Sequence, residues 1–340
     1  MLPDDAEDRL AAWLDTVVEP TVAKVVVTRL AGGHSSGAWR LDVTADGEVA
    51  PLVLKAPGEV SPVYLRDATR EARIMRALGR HGAPVPTIHA VDDDGARSIG
   101  RPCFVMDLVE GWAPADVPPG SYHSDPFLLE SSAEDQRAVW ESFHDALAAL
   151  HRVDPAQVPD ASLGPDGMGS VFAYWRASLL DVVPADGAPR QLALLEWLAA
   201  NLPSGADDRP APCMGDARLV NCLLDGTHVT GLVDFEIAYL GNPAADIGYS
   251  LFLDDLSRSN AETPLSGIPP EDATWALWET ATDRSVPIAD RPYWKAFGAM
   301  ILAITATRFM VQLGLPAENI DADNPIAGRW ESLVEDAGAR

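Results

Sequence analysis

Lysine is almost absent from this 340-residue chain, which contains only Lys24, Lys55 and Lys295. Lysine and arginine together supply 25 basic residues against 51 acidic ones, which gives a formal net charge of −26. A protein that binds nucleic acid needs many cationic side chains to displace counterions from the phosphates. The composition therefore argues against a nucleic-acid partner. It favours a cationic small molecule, although an acidic surface also simply keeps a protein in solution.

Cysteine pairs, export signals and long apolar runs are also lacking. The three cysteines Cys103, Cys213 and Cys222 do not have the paired spacing of a zinc site, so we expect reduced core residues. The start, MLPDDAEDRL, is acidic where a secretory signal would be basic and then apolar, which favours a cytoplasmic protein. Residues 297–315 are apolar but interrupted by polar side chains, so they predict a buried helix and no membrane partner.

The remaining composition is that of a globular protein, with 47% hydrophobic residues. Its length suits two lobes, and we place the boundary near Glu110, giving residues 1–110 and 111–340. In the first lobe, short β-branched and apolar runs predict strands and one charged amphipathic run predicts a helix. These predicted strands span 25–30, 38–43, 52–56, 86–91 and 103–108, and the helix spans 65–80.

The second lobe is predicted to be mostly helical. Helical periodicity covers five segments, at 133–151, 171–180, 190–201, 270–282 and 292–313. One hairpin interrupts them, with strands at 223–224 and 229–235 around the turn residues Asp225 and Gly226. A single hairpin in a helical lobe suggests a functional site. The sequence therefore predicts an α+β fold, and it carries no signal for the oligomeric state.

Lys55 lies inside the apolar strand LVLKA. A buried ammonium needs an anionic partner, because an unpaired buried charge costs several kcal/mol. Glu71 falls on the inward face of the following helix and is the expected partner. The alternative is a lysine at a strand end whose ammonium reaches solvent.

A turn-forming segment, AGGHSSGA, links the first two predicted strands. Such a loop exposes backbone N–H groups that can lie over phosphates, although a plain hairpin turn has the same composition. The residues that would contribute these groups are Gly32, Gly33, His34, Ser35 and Ser36.

Asp216, Asn221 and Asp234 surround the predicted hairpin, and Asp234 stands among the apolar residues of VTGLVDFE. A single Asp at a hairpin is usually a turn residue. Two carboxylates with an amide, however, form the oxygen-rich set that a hard divalent cation such as Mg²⁺ requires.

The order of these features resembles the aminoglycoside phosphotransferase family, and within it the phosphotransferases that occur alone or fused to acyl-CoA dehydrogenases. The resemblance runs from the glycine-bearing hairpin through Lys55 and Glu71 to G-D-x-x-x-x-N, ending at Asn221, and to D-F-E, beginning at Asp234. It implies a two-lobed protein-kinase-like fold with a small antiparallel-sheet lobe that binds nucleotide. The larger helical lobe would carry the catalytic loop and the substrate site.

The resemblance also implies roles for individual residues. Lys55, held by Glu71, would contact the α and β phosphates of ATP, while Asn221 and Asp234 would hold Mg²⁺. Asp216 would accept the proton of the acceptor hydroxyl or orient it. The hinge that meets the adenine would be formed by Met106, Asp107 and Leu108.

One position departs from the family pattern. Met214 stands where the family usually has a His two residues before the catalytic Asp. That His is expected to brace the loop, so its loss bears on loop geometry more than on chemistry. Asp246 matches a family Asp that supports the loop. Arg218 could meet a phosphate or an acidic substrate group, or pair with a nearby Asp.

These residues predict an ATP- and Mg²⁺-dependent kinase acting on a hydroxyl group of a small molecule. The net acidity favours a cationic acceptor, whereas the branch resemblance favours a hydroxyacyl-type metabolite. A non-catalytic nucleotide-binding regulator is the alternative, and retention of Asp216 counts against it. A helical interaction protein without a nucleotide site would require the whole acidic set to be coincidental.

Overall fold

The computed structural model describes residues 2–18, 21–30, 36–58, 63–65, 67–158, 163–315 and 320–338. Its N-terminal part contains a five-stranded antiparallel sheet with strand order β1-β2-β3-β5-β4. The strands are β1 (Val22–Arg29), β2 (Ser36–Ala45), β3 (Glu48–Pro57), β4 (Ile88–Asp92) and β5 (Cys103–Asp107). All five predicted strands are present.

Turn chemistry fixes the register of the central strands. Asp46 and Gly47, between β2 and β3, both have positive φ, at 51° and 83°, the conformation of the tight hairpin turn that Asp-Gly favours. The two strands consequently pair along their whole length, and this places Lys55 opposite Ala38 on one side and Phe104 on the other.

Helix α2 (Ala68–Gly79) brings Glu71 to the sheet. It begins at Asp67, whose carboxylate accepts the backbone N–H groups of Thr69 and Arg70, both at 3.0 Å, and so satisfies two of the free donors at the helix start. Its inward face is apolar, and Glu71 is the carboxylate on that face, only 2% exposed. A buried carboxylate in this position requires a cationic partner.

The C-terminal part is mostly helical. The helices are α3 (Pro126–Glu130), α4 (Ala133–His151), α5 (Met168–Leu180), α6 (Pro189–Ala200), α7 (Ala244–Asn260), α8 (Glu271–Thr282), α9 (Arg291–Gln312), α10 (Ile320–Asp323) and α11 (Pro325–Gly338). Two two-stranded sheets interrupt them, one pairing β6 (Ala211–Cys213) with β9 (Tyr239–Gly241) and the other pairing β7 (Cys222–Asp225) with β8 (His228–Leu232).

Helices α7 and α9 lie at the centre of this lobe and approach each other closely. A Cβ added at Gly248 would lie 2.3 Å from the backbone of Trp294, and one added at Gly298 would lie 2.5 Å from Tyr249 Cα. Only glycine allows this packing. Among the described residues, Ile288–Gln312 is the one helical stretch long and apolar enough to cross a membrane, and 67% of its apolar window is buried inside the protein. It is a core helix, as predicted.

Five helices were not predicted: the short α3 and α10, and the longer α1 (Ala6–Asp15), α7 and α11. In α7 nearly every residue from Ala244 to Asp254 is buried, so no polar stripe marks a helical period. The predicted strand 229–235 was also too long. Strand β8 ends at Leu232, and the chain leaves the sheet before Asp234.

Candidate active site

Lys55 joins the two lobes through an ion network. Its Nζ lies 2.8 Å from Glu71 Oε1, 3.2 Å from Asp234 Oδ1 and 3.8 Å from Glu236 Oε1. The predicted partner Glu71 is therefore in place, and the carboxylates of the D-F-E segment share the same ammonium. Lys55 itself is only 8% exposed.

The network keeps its central charges ionised. Burial alone would lower the pKa of Lys55, but Asp234, Glu71 and Glu236 outweigh it and raise that pKa well above its usual value. Burial would likewise raise the pKa of Asp234, yet Lys55 and Arg218 hold it below the usual range. An ammonium and a carboxylate are thus both charged at neutral pH, in a site where phosphates and a metal ion could meet them.

Asp234 has a left-handed backbone conformation, with φ 73°. Such a conformation costs a non-glycine residue about 1–3 kcal/mol and persists only where the surrounding structure enforces it. The next residue, Phe235, donates its backbone N–H to Glu71 Oε1 at 3.2 Å. The same Glu71 oxygen therefore fixes both Lys55 and the segment that presents Asp234.

Arg70 adds a second link between α2 and this segment. Its Nη1 donates to the backbone carbonyl of Glu236 at 3.0 Å, and its Nη2 donates to that of Ala238. Neighbouring residues of α2 thus hold both ends of the D-F-E turn. The position of Glu71 is coupled to the position of the acidic segment.

The catalytic-loop candidate runs from Gly215 to Asn221 and presents Asp216. Asn221 Nδ2 donates to Asp216 Oδ2 at 2.8 Å, and the Tyr249 hydroxyl donates to Asp216 Oδ1 at 2.7 Å. Arg218 Nε lies 2.9 Å from the same Oδ1. Gly215 is needed because its φ is 81° and a Cβ would lie 2.4 Å from the carbonyl oxygen of Ile237. The carboxylate of Asp216 is fixed in orientation and keeps 18% of its surface exposed.

Asp246, on α7, holds the start of the catalytic loop in place. Its carboxylate accepts the backbone N–H of Met214 at 2.7 Å and that of Gly215 at 3.0 Å. His151 Nε2 lies 3.0 Å from the same carboxylate, and Trp278 Nε1 donates to His151 Nδ1 at 2.9 Å. Because Nδ1 accepts, Nε2 carries the proton and donates it to Asp246. Burial lowers the pKa of His151, which favours this neutral ring.

Met214 is fully buried, so an apolar contact fills the place of the usual family His. The loop is held instead by the chain of hydrogen bonds from Trp278 through His151 to Asp246. The predicted supporting role of Asp246 agrees with this geometry.

Oxygen ligands suited to Mg²⁺ are present between the lobes. The backbone N–H of Val233 donates to the carbonyl oxygen of Asn221 at 3.0 Å, so the hairpin places Asn221 beside the segment of Asp234. Asn221 uses Nδ2 for Asp216, and its Oδ1 accepts no hydrogen bond from the described residues although the residue is 7% exposed. The carboxylates of Glu71, Asp234 and Glu236 lie within 4.8 Å of one another. This donor set fits a hard cation.

The predicted nucleotide contacts form two groups, of which the structure describes one. Gly32, Gly33, His34 and Ser35 lie outside the described residues, and of Ser36 only the backbone, at the start of β2, is described. Met106 ends the buried part of β5, and Leu108 follows the strand in a half-buried position at the passage to the helical lobe. Their contacts with adenine stay predictions.

Two neighbours of Asp216 were missed by sequence reasoning. Tyr249 lies three residues after Asp246, so both side chains fall on one face of α7, but that signal required recognising the helix. Asp116 pairs with Arg218 Nη1 at 3.3 Å from a connecting segment without local periodicity. Arg218 thus pairs with nearby Asp residues, one of the two alternatives predicted for it.

A family model described as the phosphotransferase enzyme family matches residues 26–281. The chain therefore belongs to the phosphotransferase enzyme family, and it is an enzyme of that class.

Solved structures of similar shape agree on the fold. A candidate aminoglycoside phosphotransferase from Ralstonia eutropha shares 23% identity and a TM-score of 0.74, covering 98% of both chains. A thermostable aminoglycoside phosphotransferase mutant in ternary complex with AMP-PNP and hygromycin B shares 12% identity and a TM-score of 0.59, covering 99% of this chain and all of that one. A macrolide 2′-phosphotransferase type I shares 19% identity at the same TM-score, covering 97% and 98%. The fold is the two-lobed protein-kinase-like α+β fold.

Curated relatives are longer proteins. Acyl-CoA dehydrogenase family member 10 of Mus musculus is 28% identical over 240 residues, which are 65% of this chain and 21% of that protein. Acyl-CoA dehydrogenase family member 11 of Gallus gallus is 30% identical over 232 residues, 66% of this chain and 27% of that protein. The chain thus spans between about a fifth and just over a quarter of their length.

Proposed function

We propose that this enzyme transfers the γ-phosphoryl group of ATP to a hydroxyl group of a small molecule in an Mg²⁺-dependent reaction. The observation that carries the proposal is the convergence of Lys55, Glu71, Asp216, Asn221 and Asp234 at one place between the sheet and the helical lobe. Phosphoryl transfer needs positioning and charge neutralisation more than covalent chemistry, and these residues supply both.

The nucleotide would lie between the lobes. Lys55, oriented by Glu71, binds the α and β phosphates, and the hinge at 106–108 meets the adenine. Asn221 and Asp234 would hold Mg²⁺, which would supply charge neutralisation at the phosphate oxygens. The family loop at 31–36 would cover the phosphates with backbone donors.

Asp216 handles the proton of the acceptor. As the acceptor oxygen forms its bond to phosphorus and the bond to the ADP oxygen breaks, the hydroxyl proton passes to the Asp216 carboxylate. Tyr249 and Asn221 hold that carboxylate in place. Burial and the proximity of Asp216 raise the pKa of the Tyr249 hydroxyl far above its usual value, so this hydroxyl stays a donor.

Two classes of acceptor have support. The net charge of −26 favours a cationic alcohol. The relationship to acyl-CoA dehydrogenase family members 10 and 11 favours a hydroxyacyl-type metabolite. We also infer a cytoplasmic location, because Cys103, Cys213 and Cys222 are all free and buried.

The test is ADP release with Mg·ATP against pooled aminoglycosides, macrolides, amino alcohols, sugars and hydroxyacyl esters. Wild type is compared with Asp216→Asn and with Asp225→Asn, an exposed Asp of the hairpin turn. We expect Asp216→Asn to lower acceptor-dependent turnover about 10²–10⁴-fold, the usual contribution of a positioned base, and Asp225→Asn to leave it unchanged. ATP binding without turnover on any pool would support the non-catalytic regulator instead. Equal turnover in all three proteins would refute the assignment of Asp216.

A further inference from the structure

A cavity of about 250 Å³ opens beside the catalytic loop. It lies between the connecting segment 116–122, which follows the first lobe, the catalytic loop, and helices α7 and α9. Apolar atoms supply the larger part of its lining surface, and six of the lining residues are apolar: Pro118, Pro119, Val220, Leu253, Leu256 and Leu302. Ser121, Ser257 and Asn260 add uncharged polar groups.

The cavity lies next to the proposed reaction centre, because the two share Arg218. Arg218 lines it, and Arg218 Nε is 2.9 Å from Asp216 Oδ1. Val220, from the same loop, lies in the wall. A molecule whose hydroxyl approaches Asp216 could therefore extend past Arg218 into this cavity.

One guanidinium at the rim, that of Arg218, is shared by the carboxylates of Asp116 and Asp216. Asp116 and Arg218 are the charged side chains of the lining, and they pair at 3.3 Å. Arg218 Nη2 donates to none of the described residues, so it is available to an oxygen of a ligand. A polycation would find a single carboxylate in the lining, that of Asp116, with the Arg218 guanidinium beside it.

The wall is preformed by a buried hydrogen-bond network. The hydroxyl of Tyr122, a lining residue, donates to Asp254 Oδ1 at 2.7 Å. The backbone N–H of Leu265 donates to His123 Nδ1, so His123 Nε2 carries a proton and donates to the same carboxylate at 2.9 Å. These bonds hold the connecting segment against α7, and the cavity lies between that segment and α7. A preformed apolar cavity binds its ligand without a cost for ordering the wall.

We propose that this cavity binds the hydrocarbon body of the acceptor, so that the acceptor is an alcohol with an apolar arm and not a polycationic sugar. The proposal rests on the phosphotransferase function above and names the class of its acceptor. The cavity is smaller than the roughly 300–1,000 Å³ that hold whole drug-sized ligands, so only the arm of a larger acceptor enters. Its hydroxyl stays at Asp216, and Arg218 Nη2 meets an oxygen near the mouth.

Binding of a homologous series of 1,2-alkanediols, from four to ten carbons, tests the proposal without turnover. Dissociation constants are measured by calorimetry with AMP-PNP and Mg²⁺ present, with kanamycin and choline as polar comparisons. Each buried methylene should tighten binding about fourfold until the cavity is full. Dissociation constants that do not depend on chain length, or kanamycin as the tightest ligand, would overturn the proposal.

Substitution of a residue in the cavity wall gives a second test of the proposal. Leu256→Trp fills the cavity, and Leu333→Trp replaces an equally half-buried leucine on α11, away from it. We expect Leu256→Trp to weaken the long diols at least tenfold without changing AMP-PNP binding, and Leu333→Trp to change neither. If Leu256→Trp folds and leaves the diol series unchanged, the cavity is not the binding place. The wild-type series decides the question even if Leu256→Trp fails to fold.

Failure of the function and failure of the cavity are distinguishable. Length-dependent diol binding without ADP release on any acceptor would sustain the cavity and count against phosphotransfer. ADP release on a polycationic acceptor, unaffected by Leu256→Trp, would sustain phosphotransfer and overturn the cavity proposal.

Discussion

Lys55 and Lys295 are equally buried, at 8% exposure, and each lies between carboxylates, yet they serve different parts of the molecule. Lys295, on α9, donates to Asp255 of α7 at 2.6 Å and to Glu271 of α8 at 2.7 Å. The side chains of these two partners remain 59% and 38% exposed. Water therefore solvates the outer side of each carboxylate, and the lysine ties three helices together.

The carboxylates around Lys55 have much less access to water. The side chain of Glu71 is 2% exposed, that of Glu236 11% and that of Asp234 26%. Three carboxylates face one ammonium, which leaves negative charge that a divalent cation would balance. The comparison teaches that a buried lysine with acidic partners identifies a site only when its partners lack solvent and converge on a space for a ligand.

Replacing each lysine by methionine should separate the two roles most strongly. Lys55→Met should lower kcat/KM for phosphotransfer about 10²–10³-fold, as expected when one preorganised charge is lost from the transferring phosphates. Lys295→Met should keep the wild-type kcat/KM per folded molecule and lose roughly 1.5–3 kcal/mol of unfolding free energy, the value of a hydrogen bond to a charged group. Steady-state kinetics and urea unfolding of both variants check this. A loss of activity in folded Lys295→Met would erase the distinction.

Two equally buried tyrosines allow the same comparison between a residue of the site and a residue outside it. Tyr249 and Tyr239 are each 2% exposed, but only the hydroxyl of Tyr249 donates to Asp216. We expect Tyr249→Phe to lower kcat about tenfold to a hundredfold, because a hydrogen bond to a charged group is worth about 1.5–3 kcal/mol. The KM for ATP should not change, and Tyr239→Phe should leave kcat intact. Equal kcat in the two variants would show that Tyr249 does not orient Asp216.

The sequence allowed prediction of elements that carry a local pattern. Helix α4 was predicted with its observed bounds, Ala133–His151, because apolar residues recur at the helical period. The structure adds a cap at its start, where the Ser132 hydroxyl accepts the backbone N–H of Asp135. The Lys55–Glu71 pair was predictable because a lysine inside an apolar strand needs an acid nearby.

Features assembled from distant segments were not predictable. The cavity takes residues from a connecting segment, the catalytic loop, α7 and α9, which share no spacing in the chain. Helix α7 has no polar face to reveal its period, so Tyr249 and the wall leucines on it stayed hidden. The sequence shows that Met214 replaces the usual loop His. It does not show that His151 and Trp278 support the loop instead, because the hydrogen bonds from Trp278 through His151 to Asp246 form only where α4, α7 and α8 meet.

The smallest predicted effect is the loss of folding stability at acid pH. We expect it to arise from a buried histidine and from neither lysine. The pKa of Lys55 and that of Lys295 are both raised, because their carboxylate partners outweigh burial, so neither titrates between pH 5 and 7. His144 does contribute to the pH dependence of stability in this range, because burial lowers its pKa from 6.5 to about 4 in the folded protein. Between these values the unfolded chain binds a proton that the folded chain does not, so stability falls as the pH falls.

His144→Gln removes this titration, and His81→Gln, at an exposed position, serves as its control. From pH 7 to 5 the wild type should lose about 2 kcal/mol of unfolding free energy through His144. In the folded protein the Nδ1–H of that ring donates to the carbonyl of Trp140 at 2.9 Å, and its Nε2 faces Ser250 Oγ at 3.0 Å. Urea unfolding at both pH values should therefore show a flatter pH dependence for His144→Gln and the wild-type slope for His81→Gln. Identical slopes in all three proteins would mean that the acid sensitivity arises elsewhere, and His151, whose pKa burial also lowers, would be the first residue to test.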